Sequence, residues 1–451
     1  MRSLAALAVV FAFGCRMATS DVACTTGALG IEPGAMSAAG VSIAAVLAGS
    51  PAEVAGFREG DVLQQVGERR IAWSCEVDAL LFHRTCDPVR VVVTRDGATI
   101  EKVLTPIEQG SFYEKACDDG NAAACFRRAT FETDADRAVQ LYEEACGSGS
   151  AEACAQYGYI LMSANKREAV QVLSDACDQQ SGAACTHLAY LYAVGKVVER
   201  DDLRSLEFYT RGCSAGDANG CYNQGLMRDQ GRGFAMSAAS AAPAYEQACN
   251  EGVSKACTNL GYLYENGKGV RRDLVRAAGF YRRGCEGSPC EVSNMRGCVN
   301  LGDAYRDGIG MEKNPTLAAE TFRKACESKI DSQDEEAEKA RLRACVLLGA
   351  LEIHGHGVPE DVEGGLARSL DGCNRGDAYG CFNVGAMRAY REDFSGAATF
   401  YDKACDGGDA EGCYELGKLY DEAKGVPFDH EMKVALFARA CKGGFAKACP
   451  R

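Results

Sequence analysis

The chain has 451 residues, 47% of them hydrophobic and 25% charged, so it is long enough for two globular domains. Its formal net charge is -14 at pH 7, and its basic residues form no stripe that could follow a phosphate backbone. This charge balance argues against nucleic acid as a partner.

The first twenty residues have the pattern of a secretory signal peptide, with Arg2 followed by an apolar run from Leu4 to Phe13. Two cleavage sites compete, one before Cys15, which would then carry a lipid, and one after Ser20. Either outcome removes Cys15 from the thiol pool and leaves an even number of the 25 cysteines, as an oxidising compartment requires. We favour lipidation at Cys15, followed by a linker over residues 21–27. No later segment is apolar enough to cross a membrane, so we expect membrane contact only through this lipid.

The next segment, residues 28–108, has the alternating and continuous apolar runs of a small sheet domain. A hairpin is predicted around Asp96-Gly97, a pair that suits a type I′ turn. The predicted strands are Val41–Val46, Val62–Val66, Val89–Val93 and Ile100–Leu104, and the predicted helices are Ser50–Ala55 and Ser74–Thr85.

Within this segment, GSPAEVAGFREGDVLQQVGERRI and the later VRVVVTRDG resemble a bacterial HtrA-type PDZ domain. PDZ domains bind a peptide C-terminus as an added strand, with its carboxylate on the backbone N–H groups of a loop of the form Φ-G-Φ. The resemblance assigns this loop to Leu29, Gly30 and Ile31. It assigns the apolar wall for the last peptide side chain to Val77, Leu80 and Leu81, although all these apolar residues would equally suit a domain core. No protease domain precedes the segment in this sequence, so we expect no HtrA-type proteolysis.

The rest of the chain repeats a helical hairpin, which residues 249–281 show most clearly. Apolar residues at i, i+4, i+7 and i+8 from Ala256 predict a first amphipathic helix, and Gly261 would let a partner helix approach closely. Gly267 and Gly269 predict a turn, after which Asp273 can cap a second helix. One hairpin is too small to bury its apolar face, so neighbouring hairpins must stack against it.

Paired cysteines mark the register of these repeats. Cys177, Cys213, Cys249 and Cys285 each lie thirty-six residues after the one before, which is a solenoid period. Each pair joins the end of one helix to the start of the next across a short turn, so both Cα atoms can come within the roughly 7 Å that a disulfide requires. The predicted bridges are Cys117–Cys125, Cys146–Cys154, Cys177–Cys185, Cys213–Cys221, Cys249–Cys257, Cys285–Cys298, Cys326–Cys345, Cys373–Cys381, Cys405–Cys413 and Cys441–Cys449.

The motif A-C-x-x-L-G-x-L-Y-x-x-G-x-G-V, with Y-x-x-A-C closing the second helix, resembles the Sel-one-like repeat, a relative of the tetratricopeptide repeat. The paired cysteines resemble those of its cysteine-rich, Hcp-type secreted members. The resemblance implies a mainly α chain: an α/α solenoid of disulfide-stapled hairpins over residues 109–451, preceded by a small α+β PDZ domain. It also implies an extracytoplasmic adaptor, in the periplasm or as an outer-membrane lipoprotein. Its PDZ domain would capture a peptide or C-terminus, and the concave face of its solenoid would bind a protein of the cell envelope.

The alternative function is the β-lactam binding or weak β-lactamase activity described for Hcp-type relatives. Ser163 and Lys166 have the S-x-x-K form, and Lys442-Gly443-Gly444 faintly echoes K-T-G. One such S-x-x-K match is expected by chance, and this one falls in a trimmed turn, so we expect no enzyme and no cofactor.

A metal site is the other chemistry considered. His354 and His356 could supply two ligands, but they occupy the turn slot of their repeat. We therefore expect no metal.

Four cysteines stand outside the repeat pairing and the signal: Cys24, Cys75, Cys86 and Cys290. Cys75 and Cys86 lie at opposite ends of the predicted helix, about 16 Å apart, and so cannot bond to each other. We predict a Cys24–Cys86 bridge that braces the carboxylate loop. Cys75 and Cys290 would be free, or would bond only if the PDZ domain docks near the sixth repeat.

Overall fold

The computed structural model describes residues 27–29, 31–37, 40–48, 50–71, 82–83, 88–105, 107–233, 237–287, 294–329 and 334–449. The predicted signal peptide and the predictions for Cys15, Cys24, Cys75, Cys86 and Cys290 lie outside the described residues. They remain predictions.

The chain divides into two compact units. The first unit contains the N-terminal strands and the helices as far as Asn266. The second begins with the helix Leu274–Glu286 and contains the remaining helices.

The four predicted strands are present, and the described residues contain five others. The strands are β1 (Gly27–Ala28), β2 (Ile31–Ser37), β3 (Gly40–Val46), β4 (Val62–Val66), β5 (Arg69–Arg70), β6 (Phe82–His83), β7 (Val89–Arg95), β8 (Ala98–Leu104) and β9 (Ile107–Glu108). They form an antiparallel sheet in the order β2-β3-β4-β7-β8, with β5 beside β4, and a small second sheet in the order β6-β1-β9.

Alternation along the strands builds the core of this sheet. Val41 and Ile43 on β3, and Val91 and Val93 on β7, are buried in one apolar cluster, because alternate residues of a strand point to the same face. The predicted turn after β7 is also present, with positive φ at Asp96 (50°) and Gly97 (80°), as a type I′ turn requires.

An ion pair with a buried carboxylate holds the end of β7 to the loop before β4. Asp61 accepts hydrogen bonds from Arg95 Nε at 2.6 Å and Nη2 at 2.7 Å, and from the Arg58 backbone N–H at 3.0 Å. The Arg95 guanidinium lowers the pKa of the Asp61 carboxyl, against the opposing effect of burial. The conformation of the REGDV segment is thereby fixed.

The predicted helix Ser74–Thr85 is wrong at Phe82 and His83. These two residues form strand β6, which pairs antiparallel with Gly27 and Ala28 of β1. Backbone pairing to a distant strand overrides the local helical pattern here, and aromatic residues fit readily into strands. The rest of the predicted helix lies outside the described residues.

The described part of the chain contains twenty helices, and none of them is both long and apolar enough to cross a membrane. They are α1 (Pro51–Val54), α2 (Gln109–Asp118), α3 (Ala122–Phe131), α4 (Ala135–Gly147), α5 (Ala151–Ser163), α6 (Glu168–Asp178), α7 (Gly182–Val194), α8 (Asp202–Ser214), α9 (Ala218–Gln230), α10 (Ala238–Asn250), α11 (Ser254–Asn266), α12 (Leu274–Glu286), α13 (Met295–Asp307), α14 (Pro315–Cys326), α15 (Glu335–His354), α16 (Val362–Asn374), α17 (Ala378–Tyr390), α18 (Phe394–Asp406), α19 (Ala410–Glu422) and α20 (His430–Lys442).

In several repeats, a glycine of the first helix receives a large side chain of the second. A Cβ added to Gly385 on α17 would lie 2.8 Å from the ring of Tyr401 on α18, and one added to Gly225 on α9 would lie 2.7 Å from the ring of Tyr245 on α10. Both tyrosines are buried. In these two repeats the close approach of the helices has a specific cause, an aromatic ring that fills the space of the missing side chain.

Disulfide bonds close the turns between successive repeats. The ten bridges join the ten pairs predicted from the cysteine spacing, with Cα–Cα distances of 4.3 to 4.8 Å. In the turn from α8 to α9, Gly216 adopts a φ of 88°, and Asp217 accepts a hydrogen bond from the Gly220 N–H at 2.9 Å to cap α9. Gln180 stands in the corresponding turn position before α7 with a φ of 66°.

The charged insert between Cys326 and Cys345 is largely helical. Helix α15 begins at Glu335, capped by the Asp334 side chain, so the insert lengthens this first helix to 20 residues. Acidic residues in its first turn suit the positive end of the helix dipole. The bridge nevertheless forms, with its Cα atoms 4.7 Å apart.

Reduction of the disulfides should lower the melting temperature strongly. Eight of the bridges span only eight sequence positions, so each is expected to contribute about 2 to 3 kcal/mol by restricting the unfolded chain. Circular dichroism at the helix band, on oxidised and fully reduced protein whose free thiols are counted by mass, measures the effect. Identical melting curves for the two forms would contradict it.

The substitution Gly385→Ala should destabilise the second unit by about 1 to 3 kcal/mol, because its Cβ would overlap the ring of Tyr401. Gly279→Ala is the matched control, since it lies in the exposed face of α12 with no atom within 4 Å of the added Cβ. There, alanine should be neutral or stabilising by up to about 1 kcal/mol. Thermal melting of both variants tests this role of Gly385. Equal shifts of the melting temperature in the two variants would contradict it.

Candidate functional site

The first helices of the repeats are the odd-numbered helices from α3 to α19, and they also contact one another. In the first unit α5 contacts α7 and α7 contacts α9, and in the second unit α13 contacts α15 and α15 contacts α17. Each unit therefore presents a surface made of successive first helices. We call this surface the first-helix face.

The first-helix face of the first unit is aromatic. Tyr190 on α7 and Tyr262 on α11 stand at the same repeat position, five residues after the second cysteine, and are 47% and 44% exposed. Lys268 lies 4.6 Å from the centre of the Tyr262 ring and donates a hydrogen bond of 2.8 Å to its hydroxyl oxygen. A tyrosine ring held as Tyr262 is offers rigid, amphipathic contact area.

The first-helix face of the second unit contains a cavity of about 260 Å³. We call it the α15 groove, because most of its lining residues belong to one stripe of α15. Its lining residues are Asp303 and Arg306 from α13, Arg343, Leu347, Ala350, Leu351 and His354 from α15, His356 from the following turn and Tyr379 from α17. Sequence reasoning did not identify Arg343 and Tyr379, although both stand two positions before the second cysteine of their repeats.

Charge and burial shape the walls of the groove. Arg306 donates hydrogen bonds to Asp307 through Nε at 2.9 Å and Nη2 at 2.7 Å, and its Nη1 lies 2.9 Å from Asp303. The hydrogen bonds to Asp307 are the largest cause of the raised pKa of Arg306. On the other wall, burial raises the pKa of the Tyr379 hydroxyl. Both groups keep their usual charge at neutral pH.

The edge of the N-terminal sheet is the second candidate surface. Strand β2 stands at one end of the sheet and, among the described strands, pairs only with β3. The side chains of Leu29 and Ile31, predicted in the carboxylate loop, are buried in the sheet core, so only their backbone could contact a ligand. Gly30, Val77, Leu80 and Leu81 lie outside the described residues, and their proposed roles remain predictions.

Ser163 and Lys166 do not have the setting of a catalytic pair. Ser163 is the last residue of α5, is exposed, and donates its hydroxyl to the backbone oxygen of Tyr159 at 2.9 Å. Lys166 is exposed as well, whereas an activated nucleophile needs a base within hydrogen-bond reach and shelter from water. The third fragment of the motif, Lys442-Gly443-Gly444, ends helix α20 in the other compact unit.

His356 lies in a turn, as predicted, whereas His354 is still helical. His354 ends α15, His356 stands between Gly355 and Gly357, which both have positive φ, and the two imidazole centres are 5.5 Å apart. Within the described residues, no three His, Cys, Asp or Glu side chains lie close enough together to hold a metal ion.

Comparison with known proteins identifies the repeat. The Sel1 repeat model matches residues 123–150, 182–217, 254–288, 296–329, 342–366 and 410–445. No curated protein sequence matches the chain.

Several solved structures are similar to this chain. A protective antigen of uropathogenic Escherichia coli with an SLR fold is 21% identical, with 75% of this chain and 80% of that chain covered and a TM-score of 0.50. A Sel1 repeat protein from Oxalobacter formigenes is 22% identical, with 64% and 96% covered and a TM-score of 0.41. Helicobacter pylori cysteine rich protein B is 30% identical, with 27% and 91% covered and a TM-score of 0.24.

Hydrolysis of nitrocefin by the purified protein should not exceed the background rate, and Ser163→Ala should leave that rate unchanged. The reason is the exposed position of Ser163 without a neighbouring base. Absorbance at the product wavelength measures turnover. Clear turnover by the natural protein that Ser163→Ala abolishes would contradict this expectation and favour the β-lactamase alternative.

Proposed function

Because the helical region of this chain belongs to the Sel1 repeat family, we propose that the protein is an adaptor that binds other proteins through its first-helix faces and its sheet edge. The solenoid of Sel1 repeats is a protein-interaction scaffold. The observation that carries the proposal is the exposure of aromatic and charged side chains on the first helices.

We propose further that the N-terminal domain captures a peptide end in the manner of a PDZ domain. An edge strand leaves one row of backbone N–H and C=O groups available for an added strand. Strand β2 is such an edge, and it begins at Ile31, directly after Leu29 and Gly30 of the proposed carboxylate loop. The buried side chains of Leu29 and Ile31 would fix the backbone of this loop while its N–H groups face the ligand.

The proposed location is outside the cytoplasm, in the periplasm or at the outer membrane with a lipid on Cys15. All twenty described cysteines are in disulfide bonds, which persist in oxidising compartments. The N-terminal sequence has the pattern of a secretory signal. The partner would accordingly be a protein of the cell envelope.

Peptides with a free C-terminus should bind at least about tenfold more tightly than the same peptides with an amidated C-terminus, since a charge-assisted contact to the carboxylate is lost on amidation. Gly30→Val should abolish this preference, because its side chain would crowd the carboxylate. Fluorescence anisotropy with a library of labelled heptapeptides measures both effects.

Ala98→Val is the control for this experiment, because it adds the same kind of bulk to β8 at the opposite edge of the sheet. It should leave binding unchanged. Equal binding of free and amidated peptides would show that carboxylate capture is the wrong mechanism, and pull-down from envelope extract would then test the first-helix faces alone.

A further inference from the structure

The side chains that α15 contributes to the α15 groove follow a fixed order along the helix, from a cation through apolar residues to an imidazole. Arg343, Leu347, Ala350, Leu351 and His354 recur at spacings of four, three, one and three residues, so they form one stripe along α15. Leu347 and Leu351 are almost fully buried and form an apolar floor, while Arg343 stands at one end and His354 at the other.

The two arginines of the groove differ in what they can still bind. Arg306 uses Nε, Nη1 and Nη2 on Asp303 and Asp307, so its charge is already compensated. Arg343 donates through Nη1 to Asp377 at 3.2 Å, and no other hydrogen bond of its guanidinium is found among the described residues. Asp377 is shared, since it also accepts the Gly380 N–H at 2.8 Å. Arg343 therefore keeps donors available for an anion.

Stacking holds this guanidinium in place. Its central carbon lies 4.7 Å from the centre of the Tyr379 ring, within the range of a cation–π contact. A planar, pre-oriented guanidinium presents paired N–H donors that match the two oxygens of a carboxylate. The end of the groove at Arg343 thus suits a carboxylate better than a neutral group.

The distance from Arg343 to the apolar floor selects an extended peptide. Leu347 follows Arg343 by one helical turn, about 6 Å along the axis. In an extended chain, side chains two residues apart point to the same side and are separated by about 7 Å. If an acidic side chain of the peptide pairs with Arg343, the side chain two residues further along the peptide would lie over Leu347 and Ala350.

We propose that the α15 groove binds an extended segment of a protein partner in which a glutamate or aspartate lies two residues from a large apolar residue. The proposal rests on the proposed function, since it names the chemistry of the segment that one of the first-helix faces recognises. It is independent of the sheet edge, because the acidic group is a side chain and no chain terminus is involved.

Capped peptides test it without a terminal carboxylate. The probes are acetyl-Gly-Glu-Ser-Leu-Gly-amide and the reversed order acetyl-Gly-Leu-Ser-Glu-Gly-amide, titrated into the full-length oxidised protein and followed by isothermal calorimetry. At least one order should bind, and replacing Glu by Gln in that peptide should weaken binding about tenfold. Arg343→Gln should weaken binding of the Glu peptide by a similar factor. This variant should bind the Glu and Gln peptides equally, as expected if Arg343 contacts the peptide glutamate directly.

Arg391→Gln is the matched control, because Arg391 is also an ion-paired arginine of the second unit, 2.9 Å from Glu363, and does not line the groove. The Arg391→Gln variant should bind the Glu and Gln peptides with the same affinities as the natural protein. Ala350→Phe should weaken the binding of both the Glu and the Gln peptide, because its ring would fill the groove while Arg343 stays in place.

The proposal is overturned if neither order binds, if Arg343→Gln and Arg391→Gln have the same effect, or if N-acetylglutamate amide binds as tightly as the peptide. Retention of envelope partners by Arg343→Gln in a pull-down would show that the adaptor function stands even where this assignment of the groove fails.

Discussion

The disulfide-closed turn between successive repeats is the constraint on which the helical part of the chain depends. A single helical hairpin of this size buries too little apolar surface to be stable alone. Each bridge fixes the end of one helix against the start of the next, with Cα atoms no more than 4.8 Å apart. Stability is thus supplied at the helix ends and by small buried residues, which leaves the first-helix faces free to carry binding chemistry.

The sequence predicts this architecture well because the constraint is local. Two cysteines across a short turn, a glycine opposite a large side chain of the next helix and Asp or Ser at helix starts all act within about one repeat, so their spacing reveals them. The failure at Phe82 and His83 has a long-range cause. These residues form a strand because they pair with Gly27 and Ala28, which are distant in the sequence, and no local pattern of residues 82–83 contains that information. Strand β2 pairs with the neighbouring β3, but Pro33 and Gly34 within it are unfavourable strand residues.

The groove was missed for a related reason. Arg343, Tyr379 and Arg306 belong to three different helices, and only the stacking of repeats brings them together. Arg343 and Tyr379 stand at the same position relative to the second cysteine of their repeats. This position predicts that they lie on the same face, but it does not predict their contact. Asp303 and Ala350 of the groove stand at the repeat position that carries Tyr190 and Tyr262 in the first unit, so one scaffold presents an aromatic surface in one unit and a charged groove in the other. Function in such a protein lies in the exposed positions of the repeat rather than in its fold.

Hydrogen exchange followed by mass spectrometry, on oxidised protein and on protein that has been reduced and thiol-blocked, tests the central claim most directly. If the bridged turns hold the repeats together, reduction should raise exchange throughout the helices between residues 112 and 449. The hairpin of β7 and β8, whose core contains no described cysteine, should keep its protection. Unchanged protection of the helices after complete reduction would contradict the account, because apolar packing alone would then be sufficient to hold the solenoid.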